Sequence, residues 1–417
     1  MIKATDFEIM APVGSYESLA AAIQGGADSI YFGIEGLNMR SRSSNNFSID
    51  DLHEIVRICN EHKIKSYLTV NTIIYDQDID RMKEIIDAAK AAGMSAIIAA
   101  DVSAMTYARS IGVEVHLSTQ LNISNIEALK FYAQFADVVV LARELNMEQV
   151  AGIYHQISQQ QIKGPNGGLI RIEMFCHGAL CMAVSGKCYL SLHEMHTSAN
   201  RGACNQICRR GYIVKDKETD IELEVDNQYI MSPKDLKTIH FMNIMMDAGV
   251  SVFKIEGRAR GPEYVRTVIE CYKEAVKSYC ENSFSEEKIQ DWDKRLKQVF
   301  NRGFWNGYYL GQRLGEWSHN YGSEATEKKV YIGKAIKYFG NIQVAEFLME
   351  TQSLKIGDKI LITGPTTGAI FHTVDEIRVE LQPVQETVKG ESFSIKIEEK
   401  IRPSDKLYKL VTTTKSK

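Results

Sequence analysis

The chain has 417 residues, of which 44% are hydrophobic and 24% charged, and its formal net charge is −4. This composition is typical of a soluble globular protein whose length exceeds a single core, and the small net charge excludes a bulk attraction to nucleic acid. The start MIKATDFEIMAPVG is unlike a signal peptide and no apolar run reaches the roughly 20 residues of a membrane span, so we expect a cytoplasmic protein without a membrane partner.

Short apolar runs typical of buried strands alternate with amphipathic segments of helical period as far as Tyr279. The eight runs are residues 7–11, 28–34, 65–70, 95–100, 113–117, 137–142, 169–175 and 251–257. Apolar strands that are each followed by a helix predict a parallel sheet covered on its outside. Eight such units predict a TIM-like (β/α)8 barrel, with a doubly wound sheet as the alternative.

The alternation is interrupted once, between the seventh and eighth predicted strands. A cysteine-rich insertion occupies residues 176–230 there. Loops that follow the strands of a barrel line its catalytic face. We therefore expect the insertion to lie where the chemistry takes place.

The character of the chain changes after two predicted helical segments, 262–280 and 285–300. From about Lys328 onward, short β-like runs are separated by turn signals such as TGPTTG, and the runs are KVYIGKAIKYFG, IQVAEFLM, KILITG, IFHTVDEIRV and SFSIKI. This pattern predicts a small C-terminal all-β barrel domain. The predicted domains are residues 1–325 and 326–417.

Five of the eight cysteines lie between Cys176 and Cys208. In a reducing compartment such clustering favours metal binding or catalysis over disulfides. The four best-spaced thiols are those of Cys181, Cys188, Cys204 and Cys208. Four such thiolates can hold either a zinc ion or an iron–sulfur cluster. Their wide spacing and the absence of CxxC pairs favour the cluster. Cys176 ends the seventh strand and is expected to pack there, with ligation as the alternative.

Polar residues collect at the predicted strand ends, where a barrel would place its site. They are Asn71, Asp101, Ser118, Gln120, Asn122, Arg143, Glu144, Lys254, Glu256 and Arg258. Glu256 and Arg258 directly follow the eighth strand and are the candidate catalytic residues. The alternative is a ring of ion pairs that closes the barrel mouth.

Basic residues accompany the clustered cysteines. Arg201, Arg209 and Arg210 are candidates for binding an RNA phosphate, and Arg40 and Arg42 after the second strand are further candidates. The alternative for each is a solvated loop surface. His177, His193 and His196 also lie near the cysteines but are not assigned as ligands.

Several long motifs resemble one known family. They are E-x-F-x-x-G-A-x-C-x-x-x-x-G-x-C-x-x-S from Glu173 to Ser191, NRGACNQICR (200–209), YIMSPKDL (229–236), KIEGRARGPEYV (254–265) and NRGFWNGYY (301–309). Together they are similar to the collagenase-like peptidase family, whose catalytic type is unassigned (family 32). The opening APVGSYESLAAAIQGGADSIYFG is similar to the start of its members, so the resemblance covers nearly the whole chain.

The resemblance implies more than one activity. The family takes its name from collagen degradation, whereas other members are hydroxylation proteins in which cysteines of this region hold a 4Fe–4S cluster. The length and the NRGxCxQxCR motif are most similar to the TrhP branch of tRNA hydroxylation proteins. That branch implies oxygen-independent formation of 5-hydroxyuridine at the wobble uridine of tRNA, linked to prephenate. Some members have a cysteine where this chain has Lys237, which leaves Cys208 as the fourth ligand.

The sequence also bears on the peptidase alternative. It contains neither HExxH nor a GxSxG nucleophile elbow, and Cys176 with His177 is too close in sequence to be judged as a catalytic pair. We therefore favour an RNA-modifying hydroxylase over a peptidase. A noncatalytic cluster-bearing carrier of electrons or sulfur stays open, as does the need for a paralogue or partner protein.

Overall fold

The computed structural model describes residues 3–42, 45–210, 214–215, 218, 222–223, 232–313, 315–318 and 322–413. Its first strands are β1 (Glu8–Pro12), β2 (Ser29–Phe32), β3 (Lys65–Val70), β4 (Ala96–Ala99), β5 (Val115–Leu117), β6 (Val138–Val140), β7 (Arg171–Gly178), β8 (Val214–Lys215), β9 (Glu222–Leu223), β10 (Asp235–Lys237) and β11 (Val250–Ile255). Strands β1 to β7 pair in parallel in chain order, and β11 closes the ring by pairing in parallel with both β7 and β1. The predicted (β/α)8 barrel is confirmed, and each predicted strand contributes to it.

Helices cover the outside of this barrel. They are α1 (Tyr16–Gln24), α2 (Asp51–Glu61), α3 (Ile79–Ala92), α4 (Val102–Ser110), α5 (Ile126–Ala133), α6 (Met147–Gln159), α8 (Met242–Asp247), α9 (Pro262–Cys280) and α10 (Glu286–Gln298), whereas the short helix α7 (Leu190–Met195) belongs to the insertion. Helix α2 shows why they dock, because Leu52, Ile55, Val56 and Cys59 form one buried stripe at helical spacing. No helix in the described part of the chain has the length and apolarity needed to cross a membrane.

The barrel interior is filled in its middle and closed at the end where the strands begin. Its apolar layer consists of Met10, Tyr31, Tyr67, Ala96, Ile98, Val138 and Val252. Below this layer the buried carboxylate of Glu8 accepts hydrogen bonds from Tyr67 (2.7 Å) and Arg171 (3.0 Å). A site that needs access can therefore form only at the carboxyl ends of the strands.

The cysteine-rich insertion leaves the barrel after β7 and contains α7, β8 and β9. Strand β10 returns to the barrel sheet, where Leu236 lies opposite Gly178 of β7 in antiparallel register. A later strand, β12 (Phe304–Trp305), pairs in parallel with β10. Residues 224–230 of the predicted insertion lie outside the described residues. The insertion is thus joined to the sheet beside the barrel mouth at both of its ends.

The C-terminal region is antiparallel and all-β, as predicted. Its strands are β13 (Glu327–Phe339), β14 (Val344–Met349), β15 (Ser353–Lys355), β16 (Lys359–Gly364), β17 (Gly368–Thr373), β18 (Ile377–Val379), β19 (Gln382–Val384), β20 (Glu386–Val388), β21 (Ser392–Lys396) and β22 (Lys406–Thr412). The run IFHTVDEIRV was expected as one strand and is divided between β17 and β18. Strand β22 was not predicted, yet it pairs with both β13 and β16.

This all-β region has its own hydrophobic cluster and also packs against the barrel helices. Gln24 of α1 donates a hydrogen bond to the carbonyl of Thr367 (2.8 Å) and accepts one from the backbone N–H of Ala369 (3.0 Å). Arg266 of α9 donates to the carbonyl of Ala369. These contacts attach the region to the side of the barrel, and its boundary at residues 325 and 326 as an independent domain stays a prediction.

Candidate active site

A cavity of about 670 Å³ opens at the carboxyl ends of the barrel strands, between the barrel mouth and the insertion. Glu256 and Arg258 line it from the end of β11, and the four predicted cysteine ligands line it from the insertion. The fold therefore brings together two groups of residues that the sequence separates by about 50 positions. This volume is within the range of roughly 300–1,000 Å³ that small-molecule sites occupy.

The described lining of the cavity is strongly basic. Its charged members are the cations Arg40, Arg143, Lys187, Arg209, Lys254, Arg258, Arg260 and Arg302 and the single carboxylate Glu256. The protein as a whole has a net charge of −4, so the positive charge is local to the cavity. Such a cavity attracts anions.

Glu256 is held as an ionised carboxylate. Its oxygens accept hydrogen bonds from Arg40 (2.7 Å) and from the hydroxyl of Tyr31 (3.1 Å). Burial alone would raise the pKa of Glu256, but the guanidinium groups of Arg40, Arg143 and Arg258 outweigh it and lower the pKa to about 2. With that pKa Glu256 stays ionised near neutral pH, where its oxygens can accept hydrogen bonds from other groups.

Arg258 is buried beneath this carboxylate. Its guanidinium donates to Asn38 (2.8 Å) and to the hydroxyl of Thr69 (3.3 Å), and burial lowers its pKa to about 10. It passes close to Gly33, where an added Cβ would lie 2.3 Å from Nη1 of Arg258. Arg258 therefore ties the loop after β2 to the ends of β3 and β11 and helps to hold the floor of the cavity in shape, while its catalytic role stays a prediction.

The other predicted strand-end residues divide into two groups. Asn71, Ser118 and Gln120 line the cavity. Asp101 instead caps α4 by accepting from the backbone N–H of Ser103 (2.9 Å). Asn122 donates to the carbonyl of Ser185 (3.0 Å) and so holds the insertion, and Glu144 is exposed outside the cavity.

The four predicted ligand cysteines are neighbours. Cys181 is exposed, and Cys188, Cys204 and Cys208 are partly buried. The pKa of the Cys208 thiol is raised, first by burial and then by the thiols of the other three, against the lowering effect of Arg209. The thiols of Cys181, Cys188 and Cys204 therefore lie close enough to Cys208 to affect its pKa, and all four line the cavity.

The arrangement of these thiols bears on which metal group they suit. Among the described residues, no group of three or more His, Cys, Asp or Glu side chains is close enough to hold a single ion. Each thiolate around a 4Fe–4S cluster binds a different iron, so cluster ligands are spaced more widely than the ligands of one zinc ion. The four cysteines line one cavity, and the choice between a cluster and zinc stays a prediction.

Cys176 and Lys237 lie apart from this group. Cys176 is fully buried in the core, where its thiol donates to the carbonyl of Lys254 (3.5 Å) and burial raises its pKa. Lys237, at the position where some family members have a cysteine, pairs with Asp293 (2.6 Å). His177 is buried against Tyr272, and burial with the nearby Lys237 lowers its pKa to about 3.

The three arginines predicted to bind phosphate have different surroundings. Arg201 forms an ion pair with Asp78 and stacks on Tyr75, outside the cavity. Arg209 is partly buried and donates to the carbonyls of Leu180 (2.7 Å) and Pro233 (2.6 Å). Both hold the insertion in place.

Arg210 remains exposed, and its described contact is a long one to the sulfur of Met195 (3.9 Å). Arg42 is exposed as well, whereas Arg40 faces the cavity and pairs with Glu256. Arg210 and Arg42 are therefore the two predicted phosphate ligands that the fold leaves at the surface.

One part of the site was missed in the sequence. Glu173 on β7 is fully buried and accepts a hydrogen bond from Lys254 of β11 (2.8 Å). The signal was a glutamate inside the otherwise apolar run LIRIEMF, because a charged residue in a buried strand needs a partner. Asn38, the partner of Arg258, gave no comparable signal because it lies in an irregular loop.

Several known proteins are similar to this chain over most of its length. Peptidase family U32 matches residues 14–319. A protein named "Collagenase" from Porphyromonas gingivalis is 69% identical over 404 residues, which are 97% of this chain and 98% of that protein. The "tRNA hydroxylation protein P1" of Bacillus subtilis is 31% identical over 414 residues, which are 96% of this chain and 94% of that protein.

A third relative is a 23S rRNA 5-hydroxycytidine synthase of Escherichia coli. It is 33% identical over 316 residues, which are 74% of this chain and 46% of that protein. Two relatives thus have names that refer to RNA hydroxylation, and one has a name that refers to proteolysis. The family match spans most of the chain and includes the barrel strands after β1, the insertion and the cavity residues, and the chain therefore belongs to peptidase family U32.

Proposed function

We propose that this protein is a tRNA hydroxylation enzyme that forms 5-hydroxyuridine at the wobble uridine without molecular oxygen. The observation that supports this best is the cavity at the barrel mouth, which is lined by four cysteines and by a basic floor around Glu256. The relatives whose names refer to tRNA and rRNA hydroxylation support the same activity. The expected location is the cytoplasm, where tRNA is found.

The proposed cofactor is a 4Fe–4S cluster on Cys181, Cys188, Cys204 and Cys208. A bound cluster with these four thiolate ligands would supply electron transfer. The chain's own residues would bind and orient the base. The ionised Glu256 would accept a hydrogen bond from an N–H of the uracil ring, since each of its oxygens has a second lone pair beside the one used by Arg40 or Tyr31.

The RNA is proposed to approach with its target base turned out of the anticodon loop. Proteins read single-stranded loops by taking unstacked bases into pockets, and enzymes that act on a base extrude it. The exposed Arg42 and Arg210 would then contact phosphates outside the cavity. The lysines of the all-β region, which include Lys328, Lys329 and Lys334, are further candidates, although Lys329 and Lys334 pair with Glu263 and Glu350.

The oxygen is proposed to come from a small metabolite, because the family resemblance links the reaction to prephenate. Whether a paralogue or partner protein takes part is left to experiment. The peptidase alternative is supported by the names of three relatives, two named "Collagenase" and one named as a protease. The thiol of Cys176 and the ring of His177 contact Lys254 and Tyr272 rather than each other.

The test compares tRNA nucleosides, by mass spectrometry, from cells that have or lack this protein. We expect 5-hydroxyuridine and its derivatives to disappear in the deletion strain, to return with the wild-type chain and to stay absent with Cys204→Ala. Persistence of the nucleosides in a strain without a paralogue would contradict the proposal. Cleavage of gelatin by the purified protein, abolished by Glu256→Gln, would establish the peptidase alternative.

A further inference from the structure

The insertion exposes a group of large apolar side chains beside the cavity. Tyr189, which follows Cys188 and directly precedes α7, is 71% exposed, the largest exposed fraction of any described Phe, Tyr or Trp side chain. It also lines the cavity. Four further large apolar side chains within residues 182–195 are exposed, namely Met182, Val184, Leu192 and Met195. A single exposed apolar side chain is ordinary, but such a group indicates a surface that contacts a ligand or a partner.

Tyr189 differs from the other exposed aromatic side chains in the described part of the chain. Most of those rings already lie against a cation or a second ring, in the pairs Tyr75 with Arg201 (3.9 Å), Phe131 with Tyr132 (5.1 Å), Phe339 with Lys337 (4.8 Å) and Phe371 with Arg266 (6.0 Å). Tyr154 packs over the backbone of Gly249. The ring of Tyr189 has neither a cation nor a second ring beside it among the described residues, so it is available to a planar ligand.

A cation accompanies this ring. Lys187, two positions earlier, is exposed and lines the same cavity, and its ammonium forms no ion pair with a described residue. Proteins that bind single-stranded nucleic acid combine these two groups, because the cation attracts the backbone phosphates and the ring stacks on a base. An aromatic ring with a cation at the rim of a basic cavity therefore fits an RNA segment better than a protein partner.

We infer that Tyr189 stacks on the nucleobase next to the one that enters the cavity. Turning a base out of its stack leaves the neighbouring base without a stacking partner, and this loss opposes the extrusion. A tyrosine ring at the mouth of the cavity replaces the lost partner and so makes extrusion easier. Tyr189 is thus a positioning residue, and the inference rests on the proposed function because it requires a base to enter the cavity.

Binding of a fluorescently labelled anticodon stem-loop RNA tests the stacking. Fluorescence anisotropy measures its affinity for the anaerobically prepared full chain, and circular dichroism checks that each variant is folded. We expect Tyr189→Ala to lose about tenfold in affinity, since the stacked ring is removed. Tyr189→Phe should stay within about twofold of wild type, because stacking uses the ring and not the hydroxyl.

Two modified RNAs separate stacking from a structural role of Tyr189. In each, the nucleotide on one side of the target uridine lacks its base. Wild-type protein should lose about tenfold in affinity for one of these RNAs, and Tyr189→Ala should bind that RNA as well as wild type does, since the two changes remove the same contact. A purely structural tyrosine would weaken binding of all three RNAs to the same extent.

The control is Tyr154→Ala, the same substitution at an exposed position on α6 outside the cavity, which should leave every affinity within about twofold of wild type. Undiminished RNA binding by Tyr189→Ala would overturn the stacking and would leave the exposed apolar group as a surface for a protein partner. An equal loss in Tyr189→Phe, or no binding of the RNA by folded wild-type protein, would overturn it as well. Failure of the proposed function would show separately, as unchanged nucleosides in the deletion strain although the protein binds the loop through Tyr189.

Discussion

The floor of the cavity and the insertion that covers it are held in place in different ways. The floor is a network of side chains from several barrel strands, in which Glu256, Arg40 and Tyr31 bond to one another and Arg258 bonds to Asn38 and Thr69. The insertion is held at a few points, and its four thiols face the cavity. The difference indicates that barrel folding alone organises the floor, whereas the geometry of the thiols depends on the loop and on what it binds.

The main anchor of the insertion is a close backbone contact. Gly202 has a φ of +80° and accepts hydrogen bonds at its carbonyl from the hydroxyl of Ser41 (3.1 Å) and the N–H of Arg42 (3.3 Å). A Cβ at this position would lie 2.2 Å from the carbonyl oxygen of Asn38. Because Asn38 also holds Arg258, the anchor joins the insertion to the floor.

The largest expected effect is on the insertion. Replacing Cys204 or Cys208 by alanine should remove most of the bound iron, because three remaining thiolates leave one iron of a cluster open to solvent. Iron content and visible absorption of anaerobically purified protein measure this. Cys280→Ala at the end of α9 is the matched control and should keep its iron. Zinc without iron in the wild-type protein would contradict the cluster.

The next effect concerns the floor. Glu256→Gln should lower the free energy of unfolding by about 3 kcal/mol at neutral pH, since it leaves partly buried arginines without their carboxylate. The pKa of Glu256 is lowered in the folded protein to about 2 from its ordinary 4.5. Its ionisation therefore stabilises the fold above pH 4.5, and this stabilisation is lost as the pH falls from 4.5 towards 2.

The measurement is denaturant unfolding of wild type and variant across that pH range. The difference between them should shrink with falling pH. Glu144→Gln removes the same charge at an exposed position and should change stability little at any pH. A difference between wild type and Glu256→Gln that is constant from pH 7 to pH 3 would show that Glu256 is not held as an ion pair.

A smaller effect tests how rigid the floor is. In Gly33→Ala the new methyl group would meet Nη1 of Arg258 at 2.3 Å and Cγ of Asn38 at 2.7 Å. We expect about 2 kcal/mol of destabilisation, because buried and bonded groups must move to make room. Gly152→Ala on α6 is the control, since nothing lies within 4 Å of its added Cβ. Equal thermal stability of the two variants would mean that the floor adapts freely.

The sequence predicted the barrel strands well because each is buried and apolar along most of its length. Strand β22 was missed since its lysines alternate with apolar residues, as in Lys406, Leu407 and Lys409, and this weak pattern follows a charged stretch. Its place between β13 and β16 comes from pairings with residues far away in the chain. Local pattern therefore identified the strongly buried elements and not the half-exposed one.

For the site, the predicted fold indicated where the functional residues lie, but the sequence did not indicate which groups they bond to. Glu256 and the cysteines could be placed at one end of the barrel because strand ends and their loops meet there. The roles of Arg201 and Arg209 could not be separated in the sequence, as both are arginines beside a cysteine. Asp78 and the carbonyls of Leu180 and Pro233 decide their roles, and only the folded chain brings these groups to them.

The smallest expected effect separates these structural arginines from the exposed Arg210. Arg210→Ala should leave thermal stability unchanged, weaken tRNA binding a few-fold and reduce the dependence of log affinity on log salt by about 1, as loss of one phosphate contact does. Arg201→Ala should instead lower the free energy of unfolding by about 1 kcal/mol through loss of its pairing with Asp78. Filter binding at several salt concentrations and thermal unfolding measure the two. If Arg210→Ala leaves the salt dependence as it is in wild type, the surface beside the insertion does not contact the RNA backbone, and the phosphate contacts must lie on the all-β region.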